Sequence, residues 1–364
     1  MARIAVGVQP QPYEAIIENG LLTRCGPLLR EIFSDRKRCF VVTVPVVRRK
    51  WGRQLATSLA RASWDANFVV MPEGERYKAM GTVEALAERL TRAGADRNAV
   101  VVAFGGGVVG DVAGFLASVY MRGVDVVQIP TTVVAQVDAS VGGKTGVNLK
   151  TGKNLVGTFH QPRVVLIDPQ VLSTLPEREF RSGLYEVLKC GVIGNPELFS
   201  RMESNRQKIL AREPAELEYL IAESVKLKAT VVSADEREKG LRRVLNFGHT
   251  IGHALESQTA YRYFLHGEAV AWGMVAASVM AAAIRKIDRQ TAQRICSTTV
   301  TMGALPRVTV SAKRVMRALQ RDKKTRNRVV HFVLPREIGK VEVVSHVPEA
   351  VVLEAIKQLQ VLSR

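Results

Sequence analysis

Residues 99–115, which read AVVVAFGGGVVGDVAGF, constrain the fold more than any other part of the sequence. A β-branched run enters three consecutive glycines, and a helical pattern leaves through Gly110 and Gly114. Glycine lets backbone N–H groups approach a phosphate closely, and the start of a helix favours negative charge. The spacing Gly105-x-Gly107-x-x-Gly110 formally matches the dinucleotide fingerprint. The segment predicts a nucleotide-binding turn, with a tight strand–helix turn that binds nothing as the alternative.

The first half of the chain alternates between β-branched runs and helical patterns. Strands are predicted at residues 39–44, 67–71, 100–104, 124–129 and 164–167, with helices at 82–93 and 108–120. Continuous apolar runs separated by helices indicate a mostly parallel sheet covered on both faces. Residues 5–8 and 13–17 predict an antiparallel hairpin at an edge. Because several strands precede the fingerprint, we expect a Rossmann-like α/β fold rather than an ordinary Rossmann domain.

The second half of the chain has mainly helical patterns. After Pro176, segments of period 3.6 predict helices at residues 177–193, 215–232, 244–256, 267–284, 313–320 and 348–362. A late hairpin is predicted at residues 329–334 and 340–343. At about 150 residues per domain, a chain of 364 residues suggests two domains. We therefore predict an α/β domain at residues 1–174 and a mainly α-helical domain at residues 175–364.

The charge balance is strongly basic, with 52 Lys and Arg against 34 Asp and Glu. Nucleic acid is the first partner to consider. However, no RNP-type aromatic pattern, Cys/His finger or convincing helix-turn-helix accompanies the densest run, residues 313–328, so nucleic acid is not expected. A polyanionic small substrate is the sharper interpretation, because a positive cleft raises the local anion concentration. A generally basic surface is the alternative.

Cysteine usage and hydropathy bear on the compartment. The four cysteines lie far apart and form no CxxC pair, so reduced thiols in a cytosol are expected. No stretch reaches about 18 uninterrupted apolar residues, and the opening residues do not resemble a signal peptide. The sequence predicts no membrane span.

A group of histidines suggests a metal site. His249 and His253 are four residues apart, which places both on one helix face, and His266 completes three histidines within eighteen residues. A catalytic zinc ion needs three protein ligands and an open position. The third ligand need not be His253, because Glu186 lies on an otherwise apolar helix beside Lys189. The alternative for Glu186 is a surface pair with Lys189 at i,i+3 spacing.

Cationic side chains cluster in a glycine-rich loop at residues 138–154, and this combination suits anion capture. Each of these charges taken alone is more typical of a solvated surface. The loop holds Asp138, Lys144, Lys153 and Asn154, and further candidates are Arg122, Lys228, Arg242, Lys323 and Lys324.

Taken together, these motifs resemble the 3-dehydroquinate synthases through most of the chain. The resemblance is densest in PEGERYK, AFGGGVVGDVAGF, RGVDVVQIPTTVVAQVDASVGGKTGVNLKTGKN, TLPEREFRSGLYEVLK, LNFGHTIGHALE, HGEAVAWGM and RDKK. It implies an NAD-binding α/β domain, a mainly helical second domain and commonly a homodimer, in keeping with the cytoplasmic location expected from the cysteines. It also implies conversion of 3-deoxy-D-arabino-heptulosonate 7-phosphate to 3-dehydroquinate and phosphate in the shikimate pathway.

The resemblance implies a role for each matching residue. The metal, zinc or cobalt, would be held by Glu186, His249 and His266, which leaves His253 facing substrate. NAD would contact Glu75, Lys78, Gly106, Gly107, Asp111, Thr131, Thr132, Lys144, Lys153, Thr174 and Leu175. Substrate would contact Asp138, Lys144, Lys153, Asn154, Lys189, Lys228, Arg242, Asn246, His253 and either Lys323 or Lys324. Arg122 would reach into the neighbouring subunit's site.

The implied chemistry oxidises a substrate hydroxyl, eliminates phosphate, returns the hydride and closes the ring by an intramolecular aldol step. Two departures from the family pattern are Tyr185, where a small residue is expected, and Val171, where an aromatic residue can occur. His160 and His331 are interpreted as structural. Alternative functions are another sugar-phosphate cyclase, a metal-dependent NAD polyol dehydrogenase that would release NADH, and a nucleic-acid-binding module without catalysis.

Overall fold

The structure, a computed structural model, describes residues 1–325 and 330–363, and the side chains of residues 1–320 and 330–363. The strands are β1 (Ala2–Val6), β2 (Tyr13–Ile17), β3 (Arg38–Thr43), β4 (Asp65–Val70), β5 (Val100–Gly105), β6 (Asp125–Pro130), β7 (Lys144–Leu149), β8 (Gly152–Phe159), β9 (Val164–Ile167), β10 (Phe332–Glu337) and β11 (Lys340–Val344). The helices are α1 (Cys25–Ile32), α2 (Pro45–Arg61), α3 (Met80–Arg92), α4 (Gly107–Val119), α5 (Glu177–Gly194), α6 (Pro196–Ser204), α7 (Arg206–Leu210), α8 (Pro214–Ala234), α9 (His249–Gln258), α10 (His266–Ala283), α11 (Arg289–Thr301), α12 (Ala312–Thr325) and α13 (Glu349–Leu362).

Two compact units divide the chain. The first comprises Met1–Pro176 and Arg212–Arg237, and the second comprises Glu177–Ala211 and Glu238–Arg364. Helix α8 therefore lies in the first unit, although its position in the sequence placed it in the predicted domain 175–364. Long-range contacts account for this: Gly7 N donates to Ser233 Oγ over 2.8 Å, and Lys228 Nζ lies 2.6 Å from Asp138 Oδ1.

The first unit is built on a seven-stranded sheet with the order β1-β2-β9-β6-β5-β3-β4. All neighbours pair in parallel except β1 and β2, which form the predicted edge hairpin. Five of the six parallel strands, β4-β3-β5-β6-β9, follow the doubly wound order 2-1-3-4-5, whose direction of winding reverses between β3 and β5, and β2 adds a sixth beside β9. The glycine turn follows β5, so it lies beside the topological switch point. The predicted mostly parallel, Rossmann-like sheet is confirmed.

Both faces of this sheet are covered, because successive residues of a strand point to opposite sides. Phe40 and Val101 face a core that includes residues of α3 and α4. Val41 and Val102 face a second core that includes residues of α1 and α2. Such double coverage explains why the central strands are almost continuously apolar, as the sequence predicts.

The segment predicted as a glycine-rich loop contains a second, two-stranded sheet. Strands β7 and β8 pair antiparallel, with Gly146 opposite Gly157. A Cβ atom on Gly157 would lie 2.0 Å from the carbonyl oxygen of Thr145, so only glycine fits there. The loop prediction was wrong here because glycines at the cross-strand positions hide the alternation that normally marks a hairpin.

Helices α5–α7 and α9–α13 and the hairpin β10–β11 form the second unit. Helix α10 is its centre, packed against α5, α9, α11 and α13, and almost all of its residues are buried. The predicted helix at 244–256 is instead a 3₁₀ turn, Leu241–Asn246, followed by α9. Gly248, at φ +80°, interrupts the helical backbone between them.

The late hairpin begins at Phe332, and Val329, where the predicted strand starts, lies outside the described residues. Among the residues that the structure describes, we find no helix with the length and apolar character that a membrane span requires.

Candidate active site

Three predicted metal ligands meet in the second unit. Glu186 lies in the middle of α5, whereas His249 and His266 are the first residues of α9 and α10. Glu186 Oε1 lies 3.7 Å from His249 Nε2 and 3.4 Å from His266 Nε2. These three side chains offer ligand atoms that all lie within 4.8 Å of one another.

Close helix packing makes this meeting possible. A Cβ atom on Gly267 would lie 1.8 Å from the carbonyl oxygen of Ser182 on α5. One on Gly273 would lie 1.8 Å from the carbonyl oxygen of Gly248, the residue before α9. Glycine at both positions therefore lets α10 approach the two other ligand-bearing segments without a steric clash.

The Glu186 carboxylate has the properties of a metal ligand. It is fully buried, and neither oxygen has a hydrogen-bond partner that satisfies normal geometry. Burial alone raises a carboxyl pKa, but the Lys189 ammonium and the two imidazoles outweigh it and hold the pKa of Glu186 well below its ordinary value. An ionised, buried oxygen pair beside two imidazoles fits a divalent cation of the zinc type.

The two imidazoles differ in their electrostatics. Burial, reinforced by Lys189, lowers the pKa of His249 to about 3, so this ring is neutral at physiological pH. Burial also acts to lower the pKa of His266, but the carboxylates of Glu186 and Glu256 prevail and raise it to about 10. Metal binding requires neutral imidazoles, so a cation at this site has to displace the His266 proton.

Lys189 and His253 occupy places that the simpler interpretations of the sequence did not anticipate. Lys189 Nζ lies 2.5 Å from Glu186 Oε2, and both side chains are buried, so this is not a surface pair. His253 is exposed and is grouped with Glu256 and His266 rather than with Glu186. The spacing of His249 and His253 suggests that both are ligands of one metal ion. The ligand atoms that lie close together are instead those of Glu186, His249 and His266.

Arg242 and Asn246, both predicted to contact substrate, lie in the 3₁₀ turn that precedes α9. Arg242 is buried, and Asn246 Nδ2 donates to Glu238 Oε1 over 2.7 Å. Glu238 has a left-handed backbone, φ 57°, which is uncommon for a residue with a side chain. Glu238 was not among the predicted site residues, although a carboxylate in DEREKG just before Arg242 could have drawn attention to it.

The predicted NAD residues lie in the first unit. The chain leaves β5 at Gly105, and α4 begins at Gly107 with no acidic residue in its first turn. The first N–H groups of a helix lack acceptors within the helix, so this turn offers donors and a positive dipole end to a phosphate. Thr131 N donates to Gly105 O over 2.9 Å, and Thr132 flanks Gly106.

A polar network joins the other predicted NAD residues to the β7–β8 hairpin. Lys78 is buried and donates to Asn154 Oδ1 and, over 2.5 Å, to Asp111 Oδ2. Glu75 Oε1 accepts from Asn148 over 2.8 Å and lies 3.9 Å from Lys153 Nζ. Burial raises the pKa of Asp111 above its ordinary value, although Lys78 opposes the shift.

Features at the switch point also fit a bound nucleotide. The Thr43 hydroxyl, at the end of β3, is buried without a hydrogen-bond partner. Thr174 is the last residue of the 3₁₀ turn Pro169–Thr174 and precedes Leu175, and its Oγ1 accepts from Trp51 Nε1 over 2.8 Å. Doubly wound folds bind dinucleotides at the carboxyl ends of the parallel strands, beside the switch point. The Thr43 hydroxyl lies at such a strand end and has no partner among the residues that the structure describes.

Asp138 and Lys228, both predicted to contact substrate, form a charged pair in the first unit. Asp138 lies in a single π-turn, Ala135–Ala139, and Lys228 on α8 donates to both its side chain and its carbonyl oxygen. Lys144 starts β7. Lys323 and Lys324 fall in the last residues of α12, and their side chains lie outside the described residues.

Four further residues were singled out in the sequence: two depart from the family pattern, and two are histidines interpreted as structural. Tyr185 is buried with its hydroxyl unpartnered, and a Cβ atom on Gly303 would lie 3.2 Å from that hydroxyl. Val171 is buried in the second core of the first unit. His160 Nε2 lies 2.9 Å from Val124 O, and His331 Nδ1 lies 3.1 Å from Ser345 Oγ.

Comparison with known proteins adds an independent finding. The family model for the 3-dehydroquinate synthase N-terminal domain matches residues 68–182, and the model for the C-terminal domain matches residues 183–325. The chain is 54% identical over 363 residues to 3-dehydroquinate synthase from Koribacter versatilis, covering 100% of this chain and 99% of that protein. It is 46% identical to 3-dehydroquinate synthase from Solibacter usitatus, covering 95% and 96% of the two proteins.

Solved structures of cyclases are similar to this chain over almost its whole length. The chain is similar to ValA, a 2-epi-5-epi-valiolone synthase from Streptomyces hygroscopicus with NAD⁺ and Zn²⁺ bound, with TM-score 0.87, 31% identity and coverage of 97% and 98%. It is similar to 2-deoxy-scyllo-inosose synthase with carbaglucose-6-phosphate, NAD⁺ and Co²⁺, with TM-score 0.87, 25% identity and coverage of 98% and 100%. An iron-containing alcohol dehydrogenase, 15% identical at TM-score 0.67, shares the fold. With both family domains matched in order and curated relatives covered over their whole length, the chain belongs to the 3-dehydroquinate synthase family.

Proposed function

We propose that the chain converts 3-deoxy-D-arabino-heptulosonate 7-phosphate to 3-dehydroquinate and phosphate, using NAD and a divalent metal. The observation that carries the proposal is the buried Glu186 carboxylate, unpartnered by hydrogen bonds and facing the imidazoles of His249 and His266. That arrangement, in a chain 54% identical to a 3-dehydroquinate synthase, supports a metal centre formed by these three side chains. The reaction is redox-neutral: the C–O bond to phosphate breaks, one C–C bond forms, and the hydride removed is returned.

When bound, NAD accepts and returns the hydride, while the metal lowers the pKa of the hydroxyl that is oxidised. Glu186, His249 and His266 would hold the metal. The NAD pyrophosphate would lie against Gly106 and Gly107 at the start of α4. The other proposed NAD contacts are Glu75, Lys78, Asp111, Thr131, Thr132, Lys144, Lys153, Thr174 and Leu175.

The substrate carries a carboxylate and a phosphate, and the chain supplies cationic and amide groups to bind them. Buried cations attract an anion more strongly than exposed ones, because solvent screens them less. Lys189, Lys228 and Arg242 are all buried. The proposed substrate residues are Asp138, Lys144, Lys153, Asn154, Lys189, Lys228, Arg242, Asn246, His253 and one of Lys323 and Lys324.

Proton transfers can be assigned to groups of this chain and of the substrate. His253 is exposed and beside the metal group, so its imidazole can exchange a proton with a substrate hydroxyl. The leaving phosphate is itself basic enough to accept the proton that is removed in the elimination. No further strong base is then required, and the lysines serve to orient the substrate and to neutralise charge.

The nearest alternative is another sugar-phosphate cyclase, which the likeness to the two cyclase structures favours. A substrate with a carboxylate is favoured because the chain has the cationic and amide side chains that match the family's pattern for one: Arg242, Asn246, Lys153 and Asn154. The test is phosphate release from the proposed substrate, compared with a heptulose phosphate and a hexose phosphate that lack the carboxylate. We expect turnover of the first alone. Turnover of a substrate without the carboxylate would overturn the assignment, and net NADH formation from a polyol would indicate a dehydrogenase.

We also propose that the chain acts in the cytoplasm as a homodimer in which Arg122 completes the neighbouring subunit's site. All four cysteines are free thiols, as in a reducing compartment. Arg122 is exposed in a left-handed turn, φ 69°, after α4. Val119 and Met121 beside it are 48% and 43% exposed, and Leu155 on β8 is 61% exposed, which is typical of a surface that another chain covers.

Subunit mixing tests this arrangement. Arg122→Ala and Glu186→Gln proteins should each be inactive, because each lacks one part of every site. When they are denatured together and refolded, half of the dimers combine the two chains, and one site in each mixed dimer is intact. We expect about a quarter of wild-type activity to return. No recovery, with mixed dimers verified by tag, would show that Arg122 acts within its own chain.

A further inference from the structure

His266 lies between two carboxylates, one at each ring nitrogen. Its Nε2 atom lies 3.4 Å from Glu186 Oε1, and its Nδ1 atom lies 3.5 Å from Glu256 Oε2. Glu256 is near the end of α9, two helical turns after His249 and therefore on the same face of that helix. Its side chain is only 4% exposed. A carboxylate so deeply buried has a large desolvation cost unless it contacts a proton donor or a cation.

A neutral imidazole carries one proton, so the two ring nitrogens cannot serve the same purpose. The nitrogen that binds a metal must offer its lone pair, and the proton must then reside on the other nitrogen. A hydrogen-bond acceptor at that second nitrogen fixes both the tautomer and the orientation of the ring. Glu256 is the group that faces the second nitrogen of His266.

The other predicted histidine ligand is arranged in the same way. His249 also turns Nε2 toward Glu186, over 3.7 Å, and its Nδ1 lies 3.1 Å from the carbonyl oxygen of Phe247. Both rings thus present the same nitrogen to Glu186 and have an oxygen acceptor behind them. The acceptors differ in charge, because one is a backbone carbonyl and the other is a carboxylate.

We propose that Glu256 is a positioning residue for the metal site: its carboxylate accepts the Nδ1–H of His266 and thereby directs Nε2 of that ring toward the metal. This inference rests on the proposed metal-binding function of Glu186, His249 and His266. Glu256 is then not a ligand of a second ion, although His253, Glu256 and His266 also lie close enough to hold one. An ion there would need the nitrogen of His266 that the first site leaves protonated, and His253 is exposed to solvent.

Metal binding to the full-length protein tests the role without relying on turnover. Three variants are compared with wild type after the metal has been removed: Glu256→Gln, Glu256→Ala and the control Ser257→Ala. Ser257 is the next residue of α9, and its hydroxyl donates to Ala254 O within the same helix. The dissociation constant and stoichiometry for Zn²⁺ are measured by chelator competition, and Co²⁺ is followed by its visible absorption.

We expect Glu256→Ala to weaken Zn²⁺ binding by about 10–100-fold, as other carboxylates behind histidine ligands do. Glu256→Gln keeps an acceptor oxygen but loses the charge, so its affinity should fall between those of Glu256→Ala and wild type. Ser257→Ala should bind as wild type does. The Co²⁺ absorption of both Glu256 variants should change shape, because the orientation of one ligand is no longer fixed.

Two results would overturn the inference. One is that both Glu256 variants bind Zn²⁺ with wild-type affinity. The other is that wild type binds two Zn²⁺ ions and the Glu256 variants bind one, which would make Glu256 a ligand of the second ion. If Glu256→Ala does not fold, the nearly isosteric Glu256→Gln decides between these results alone. If wild-type protein bound no metal, or if Glu186→Gln left binding unchanged, the proposed function itself would fail, and that outcome is distinct from these two.

Discussion

The Nε2 atom of His266 lies 3.4 Å from Oε1 of Glu186. His266 is the first residue of α10, whereas Glu186 lies in the middle of α5. This contact brings α5 and α10 together at a point where neither carboxylate oxygen has a hydrogen-bond partner. The Lys189 ammonium, 2.5 Å from Oε2, compensates part of the charge of this buried carboxylate, while Oε1 faces the two imidazoles. We propose that a divalent cation held by Glu186, His249 and His266 completes the compensation.

Replacing the carboxylate should remove the metal. Glu186→Gln keeps the shape of the side chain but removes the negative charge, so we expect Zn²⁺ affinity to fall by at least about 100-fold and phosphate release to fall with it. Glu179→Gln makes the same change at an exposed position of α5 and should affect neither. Metal content after dialysis and initial rates are the measurements. Stoichiometric zinc in Glu186→Gln protein would contradict the ligand assignment.

The pair Asp138–Lys228 should contribute to stability as a unit. Lys228→Met removes the ammonium that lies 2.6 Å from the Asp138 carboxylate, and we expect the free energy of unfolding to fall by about 1–3 kcal/mol. Adding Asp138→Asn removes the charge that Lys228 contacts, so the double variant should be more stable than Lys228→Met alone. Urea unfolding of the single and double variants measures the coupling. Strictly additive losses would show that the two side chains do not interact.

Helix α4 should tolerate no side chain at Gly114. A Cβ atom there would lie 2.5 Å from Cγ2 of Thr145 on β7, so Gly114→Ala should destabilise the protein by about 1–3 kcal/mol. Thr145→Ser removes that methyl group and keeps the hydroxyl that bonds to Thr158, so it should restore part of the loss. Gly81→Ala, where a Cβ atom meets nothing within 4 Å, is the matched control. Equal stability of the Gly114 and Gly81 variants would refute the packing argument.

The Glu203–Arg294 pair should give a contribution to stability that depends on pH. Hydrogen bonds from Arg294, opposed by partial burial, hold the pKa of Glu203 below its ordinary value of 4.5. Because the folded-state pKa is the lower one, the contribution is complete above pH 4.5 and is lost as the pH falls through the folded-state value. Both side chains are more than a third exposed, so we expect less than about 1 kcal/mol.

The variant Glu203→Gln checks that sign. Its free energy of unfolding should be lower than that of wild type at pH 7, and the difference should shrink at pH 4 and below. Glu354→Gln, at an exposed i,i+3 pair with Lys357, is the control. A difference that grew as the pH fell would contradict the assignment of the shift.

Much of the fold could be predicted from the pattern of the sequence. The run before Gly105 is almost entirely apolar because β5 is covered on both faces, and this marks a central parallel strand. Helix α10 could be predicted for a similar reason, since burial on all sides makes its sequence apolar throughout. Helix α2 was missed, because only four of its seventeen residues are buried and arginines interrupt its apolar face.

The candidate site was less accessible to sequence reasoning. The spacing of His249 and His253 favours two ligands on one helix, but His266 comes nearer to Glu186 through packing between helices, which the local sequence does not encode. Glu186 was a candidate ligand because its helix is otherwise apolar, but only the family resemblance implied that it binds the metal and that Lys189 contacts substrate, since their spacing is equally typical of a surface pair. Glu256 attracted no attention, because a single carboxylate near a helix end is ordinary until the structure places it behind a histidine.

The most direct test of the central claim is phosphate release from 3-deoxy-D-arabino-heptulosonate 7-phosphate with catalytic amounts of NAD, measured before chelation, after chelation and after Zn²⁺ is restored. We predict that phosphate and 3-dehydroquinate form in equal amounts without net NADH, that chelation abolishes the reaction, and that Zn²⁺ restores it. Absence of phosphate release from protein loaded with both metal and NAD would contradict the assignment of this reaction to the chain.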